Sequence, residues 1–186
     1  MLRDIFDKEL VLESDRLRLR PVRAEDADDI FEIFSDKEVM KYYDILPLGD
    51  RNEAVELCGR FIKHFEDRSM LRWSIVEKES GRVIGTCGFF CFCDDDSKAE
   101  LGYELRRELW GKGYMPEAIS LIMRFIYENT DINRIESFVE IPNTASQKLL
   151  KKLGFRKEGT LRQYERCRGE LIDITIWGYI RGDGLY

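Results

Sequence analysis

The densest chemical signal in the chain is the run Trp110-Gly111-Lys112-Gly113-Tyr114-Met115-Pro116-Glu117. Two glycines separated by one residue permit a tight turn, and a proline just inside a helix start forfeits no amide donor. The run therefore predicts a loop that opens a helix. Unpaired N–H groups and the positive end of the helix dipole would make that loop a cradle for phosphate oxygens. Plain turns use the same residues. The run lacks the Gly-Lys-Ser/Thr ending of a Walker loop and the third glycine of a dinucleotide fingerprint, so a different phosphate binder is implied.

Other residue types that carry chemistry read more simply. Cys87, Cys91 and Cys93 fall in a strand-like run where residues four and six apart share a face, and the spacing is not Cys-x-x-Cys. Structural thiols are expected, and no metal site. The single histidine, His64, is expected on the polar side of a helix, in solvent. Asp94, Asp95 and Asp96 occupy a turn, where adjacent carboxylates point in different directions and are solvated.

The elements that must position the loop follow from periodicity. Arg16 to Val22 alternates as a half-buried strand, and Ala27, Ile30, Phe31 and Phe34 form the stripe of a first helix behind an acidic first turn. Residues 36–50 have no period and are read as a loop whose Tyr42 and Tyr43 line a pocket or pack beneath it. Asp50 and Glu53 have the spacing of a capping box for a second helix through Phe65. Residues 71–77, 83–93 and 98–105 read as an antiparallel meander. Met115 to Glu128 has only a narrow polar stripe and predicts a mostly buried helix. A strand over 133–141 stops at Pro142, Asn143 caps a last helix that Gly154 ends, and two further strands follow around Arg166 to Gly169.

At 186 residues the chain suits a single domain spanning 1–186. With 36 acidic and 30 basic residues its net charge is −6, which argues against nucleic acid or an anionic membrane as partner and favours a basic acceptor. Residues 1–12 mix charged and apolar types without a signal-peptide run, so a cytoplasmic protein with five reduced cysteines is expected.

The element order and a set of local motifs resemble the Gcn5-related N-acetyltransferase (GNAT) superfamily, and within it the ribosomal-protein-alanine acetyltransferases. The motifs are Glu100-Leu101-Gly102-Tyr103-Glu104-Leu105, Trp110-Gly111-Lys112-Gly113-Tyr114, Glu117-Ala118, Asn143-x-x-Ser146, Leu153-Gly154-Phe155 and Glu158-Gly159-x-Leu161-Arg162. The resemblance implies an α+β fold with a mixed sheet of about six to seven strands, about four helices, and two parallel strands splayed at the cofactor site. It implies acetyl-CoA, with Tyr103, Glu104 and Leu105 offering backbone groups to the pantetheine arm and Gly111, Lys112, Gly113, Tyr114 and Met115 around the pyrophosphate. Asn143 and Ser146 would meet the far arm and sulfur. Relative to the superfamily's phosphate loop, Trp110 and Met115 depart from the usual residues, and Met115 adds bulk near the pyrophosphate.

The superfamily's usual tyrosine acid falls here on Leu150, which has no proton to give. The subgroup likeness places Ser146 as acid and Glu165 as general base, with Glu100 in reserve; Glu165 reads equally as a hairpin charge paired with Arg166 or Arg168. The implied acceptor is the α-amine of a protein or peptide amino terminus. An α-amine is roughly a tenth neutral at pH 7, so a modest base suffices. A small-molecule amine acetyltransferase and a non-catalytic acyl-CoA-binding module remain the alternatives, and either a monomer or a homodimer is compatible.

Overall fold

The computed structural model describes residues 2–43 and 45–184, without the side chains of residues 2 and 3. Eight strands form one sheet among these residues: β1 (Leu12–Glu13), β2 (Leu17–Pro21), β3 (Met70–Glu77), β4 (Val83–Cys93), β5 (Lys98–Leu105), β6 (Arg134–Glu140), β7 (Arg156–Cys167) and β8 (Glu170–Ile180). Four α-helices accompany them: α1 (Ala27–Phe34), α2 (Arg51–Glu66), α3 (Tyr114–Asn129) and α4 (Thr144–Lys152). The sheet order is β1-β2-β3-β4-β5-β6-β8-β7, and every neighbouring pair is antiparallel except β5 with β6. The sheet thus exceeds the expected six to seven strands by β1, whose two residues are too few to show a period and exist as a strand only through pairing with Arg18 and Leu19.

The α3 stripe of Met115, Ala118, Ile119, Ile122, Met123 and Ile126 packs with Leu17, Leu19, Trp73 and Phe89 in the main core. Burial at about 25 cal/mol per Å² of apolar area is what fixes this helix against the sheet. A second cluster joins α1 and α2 through Ile30, Ile33, Phe34, Leu57 and Phe61. Asp50 caps α2 by accepting from the Asn52 and Glu53 amides, at 2.7 and 3.2 Å, but the Glu53 carboxylate reaches the Gly49 amide, at 2.7 Å, one residue before the expected capping-box partner.

The three clustered cysteines do not share a face. A bulge between Phe90 and Cys93 places Cys91 at φ 50°, so Cys87 is buried while Cys91 is exposed. An extra residue in one strand reverses the alternation on which a period-two reading depends. All five cysteines are free thiols, and no described helix is long and apolar enough to cross a membrane.

Candidate active site

The parallel pairing of β5 with β6, the sole one among the described residues, decides where the site lies. β5 and β6 keep register only over Lys98–Glu100 against Arg134–Glu136, and beyond it the two strands separate. At the start of the gap the Ser137 hydroxyl donates to the Leu101 carbonyl, at 3.3 Å; at its far end the Trp110 indole donates to the Leu105 carbonyl, at 2.9 Å. Both carbonyls lie on the edge that faces the gap, and by strand alternation the amide and carbonyl of Tyr103 lie on that edge between them. An extended chain carrying amide groups fits there as an added strand. A cleft of about 1150 Å³ runs through the gap and is lined by Tyr103, Glu104, Leu105, Gly111, Gly113, Met115, Asn143, Ser146, Glu100 and Glu165 among others.

The glycine loop takes the form its residues require. Gly111 and Gly113 adopt φ of 75° and 83°, and α3 begins at Tyr114. Pro116 has no amide hydrogen, the Lys112 amide is engaged by the Leu109 carbonyl and the Glu117 amide by Gly113. The amides of Gly111, Gly113, Tyr114 and Met115 are the remaining donors at this helix start, where an anion is favoured. Lys112 is exposed, and its carbonyl accepts from Arg16 at 3.3 Å. The Met115 side chain is buried in the main core, and the residue also lines the cleft.

Glu117 braces this loop from behind. Ser14 donates to it at 2.6 Å and Arg16 Nε at 2.9 Å, while the Arg16 guanidinium lies 4.4 Å from the centre of the Tyr114 ring. Burial opposes ionisation of Glu117, but the Arg16 and Ser14 hydrogen bonds prevail and hold its carboxyl below the usual range. Nothing in local periodicity marks this brace, because its partners are about a hundred positions apart.

Asn143 caps α4 by accepting from the Ser146 amide at 3.1 Å, which aims the first turn of α4 at the gap. Ser146 Oγ lies 2.5 Å from Tyr103 Oη. Burial pushes the Tyr103 phenol up, with the Glu104 carboxylate adding to the effect and the Ser146 hydrogen bond opposing it. Leu150, one turn later, is fully buried.

The opposite face of β5 carries Glu100, Gly102 and Glu104, as alternation predicts. Glu104 forms a buried ion pair with Arg72 and also accepts from Thr86 and from the Tyr43 phenol. Tyr43 belongs to the segment read as a loop, which contains a 3₁₀ turn over Met40–Tyr42. That turn forms a strap across the cleft: Arg168 donates to the carbonyls of Met40, Lys41 and Tyr43 at 3.0, 2.5 and 3.2 Å, and Tyr42 donates to the Pro142 carbonyl at 3.4 Å. Residue 44 lies outside the described residues.

Arg168 reaches the strap through Nη2 alone, and Arg166 donates to the Gly169 carbonyl at 2.9 Å. Glu165 lines the cleft with Glu100 and Glu140. Burial raises the carboxyls of Glu100 and Glu140, and the charge of Glu165 raises both further; Arg168 opposes the shift at Glu140, while at Glu100 the Cys91 thiol, donating to it, and Lys98 oppose it and Glu136 reinforces it. Phe138 and Tyr164 stack beside them with ring centres 5.8 Å apart. A bulge between Leu161 and Glu165, with Gln163 at φ 49°, turns Tyr164 and Glu165 to their positions, which a strict period of two does not anticipate. His64 is exposed at the cleft rim, its Nδ1 2.9 Å from Ser69 Oγ.

The comparisons with known proteins agree with this geometry. Residues 16–156 match the family model described as an acetyltransferase (GNAT) domain. The chain is 41% identical over 170 residues to a Bacillus licheniformis protein named uncharacterized N-acetyltransferase p20, covering 91% of this chain and 96% of that one. It is 25% identical over 172 residues to the Escherichia coli [ribosomal protein uS5]-alanine N-acetyltransferase, covering 89% and 88%. Among solved structures, spermidine N-acetyltransferase from Vibrio cholerae in complex with CoA and spermine superposes with a TM-score of 0.78 at 20% identity, covering 91% of this chain and 98% of that one.

Proposed function

The chain belongs to the GNAT acetyltransferase family and is an acetyl-CoA-dependent N-acetyltransferase; from that premise we propose that its acceptor is the α-amine of a basic peptide or protein amino terminus. The observation that carries this reading is the set of carboxylates Glu100, Glu140 and Glu165 facing the cleft beside the splayed strands. Burial is the first cause of the raised Glu100 and Glu140 carboxyls and the charge of Glu165 adds to it, a repulsion that a cationic acceptor would relieve. The Escherichia coli relative, named for acetylating an alanine of ribosomal protein uS5, supports a ribosomal-protein amino terminus.

When bound, acetyl-CoA supplies an activated acetyl group on a thiol that leaves. The chain's residues do the rest. The Tyr103 edge and the amides of Gly111, Gly113, Tyr114 and Met115 hold and align the donor, and Asn143 orients the turn bearing Ser146. Glu165 takes a proton from the attacking amine, Glu100 stands in reserve, and the Ser146 hydroxyl faces the sulfur. Because an α-amine is roughly a tenth neutral at pH 7, a single carboxylate meets the demand for a base.

The Vibrio cholerae neighbour bears the name of a spermidine acetyltransferase, and the same carboxylates suit a polyamine as well. Incubating the protein with acetyl-CoA, a panel of basic and acidic peptides and a panel of polyamines, and weighing the products by mass spectrometry, separates the two. Acetylation at peptide α-amines, faster for basic sequences, is expected. Initial rates for free polyamines above those for every peptide overturn the proposal in favour of a small-molecule acceptor.

A further inference from the structure

Ser146 is placed by its backbone, yet a serine hydroxyl rotates, and its single proton has to point at the sulfur to be useful there. The partner that settles the direction is Tyr103, 43 residues earlier in the chain and on a different element, whose Oη is 2.5 Å from Ser146 Oγ. Tyr103 lies on the face of β5 that packs toward α3 and α4, the same side as Leu101 and Leu105 of the main core. Its ring is partly buried, and burial raises the phenol, which therefore keeps a proton that it can donate. Either oxygen of the pair can be the donor, and with the phenol donating the Ser146 oxygen is the acceptor. The Ser146 proton is then turned away from Tyr103 and into the cleft, and a hydroxyl that already accepts one hydrogen bond donates a stronger one.

We propose that Tyr103 is a positioning residue for acetyl transfer: its phenol orients and polarises the Ser146 hydroxyl, so that Ser146 donates to the sulfur as the thiol departs. This rests on the reading above that Ser146 faces the thioester. In the step itself the amine nitrogen bonds to the acetyl carbon, the carbon–sulfur bond breaks, and its electron pair remains on sulfur. Ser146 stabilises that charge by hydrogen bonding. The proton lost by the amine passes to Glu165 and then to solvent, and the thiolate takes one back from solvent, so Tyr103 and Ser146 both end the cycle protonated.

The test needs no acceptor. CoA, the thiol product, is bound to wild-type protein and to the Tyr103→Phe, Ser146→Ala and double variants, with occupancy fixed by calorimetry and the thiolate followed by its ultraviolet absorbance against pH. In the wild type the bound thiol should ionise at lower pH than free CoA. Tyr103→Phe should cut the bound thiolate-to-thiol ratio at a given pH by about three- to tenfold, the size expected for one polarising hydrogen bond. In the Ser146→Ala background the same change should have no further effect, because Tyr103 acts only through Ser146. A Tyr103→Phe titration that superposes on the wild type, or an undiminished effect in the Ser146→Ala background, overturns the assignment. Wild-type protein that takes up no CoA overturns the underlying reading and this proposal with it, whereas normal CoA uptake with a superposed titration overturns this proposal alone.

Discussion

Arg72 and Glu104 form an ion pair against the cleft whose side chains are only 3% and 2% exposed. Arg72 Nε donates to Thr86 Oγ1 at 3.0 Å, Thr86 donates in turn to Glu104, and the Tyr43 phenol completes the set. Every partner is satisfied, so the network tolerates its burial. Removing one charge strands the other. Glu104→Gln is expected to cost about 3–5 kcal/mol of stability, whereas replacing both residues by apolar ones of similar volume should cost much less. Urea unfolding of the single and double variants checks this; equal losses in both would show that the pair itself, and not an uncompensated charge, sets the cost.

Gly113 has φ 83° in the loop expected to hold phosphate, and a Cβ there would meet Arg16 Nη2 at 3.6 Å. Gly113→Asp adds backbone strain and a negative charge at once. Calorimetry should detect no acetyl-CoA binding to this variant. Wild-type affinity would remove the loop from the cofactor site.

Glu165→Gln keeps size and removes charge. If Glu165 is the base, kcat should fall by roughly ten- to ten-thousand-fold, with partial recovery as rising pH neutralises more amine. An unchanged kcat with saturating acetyl-CoA and a verified acceptor would take Glu165 out of the mechanism.

The same substitution should be felt at Glu100, whose carboxyl is raised by burial and by the charges of Glu136 and Glu165. Folded protein binds that proton more tightly than unfolded chain does. Stability from this group is therefore lost as pH rises from the ordinary carboxylate range through the folded value. Removing the Glu165 charge lowers the folded value and narrows that window. Carbon-detected NMR titration of Glu100 in both proteins reads the shift, and an unmoved midpoint would refute the coupling.

Arg168 holds the strap through three carbonyls. Charge-assisted hydrogen bonds of this kind contribute about 1.5–3 kcal/mol each when lost singly. Arg168→Ala should therefore speed hydrogen exchange at the Met40 and Tyr43 amides, which bond to the Asp36 and Met40 carbonyls, while leaving acetyl-CoA affinity unchanged. Unaltered exchange at these amides would mean that the strap is held without Arg168.

Much of this protein is determined locally. Glycines 111 and 113, Pro116, the Asn143 cap and the apolar stripe of α3 specify a loop, two helix starts and a buried helix from adjacent residues alone, because turn chemistry and periodicity need no distant partner. The family motifs add acetyl-CoA to that reading. What tertiary structure decided lies between residues far apart in the chain: the splaying of β5 from β6 after Glu100, the Arg16–Glu117 brace, the Arg72–Glu104 pair, the Tyr103–Ser146 contact and the Arg168 strap. Bulges at Cys91 and Gln163 reverse side-chain alternation, and β1 exists only by pairing with β2. No short window encodes these, since each depends on where the sheet brings a second segment, and that is set by the burial of the whole core.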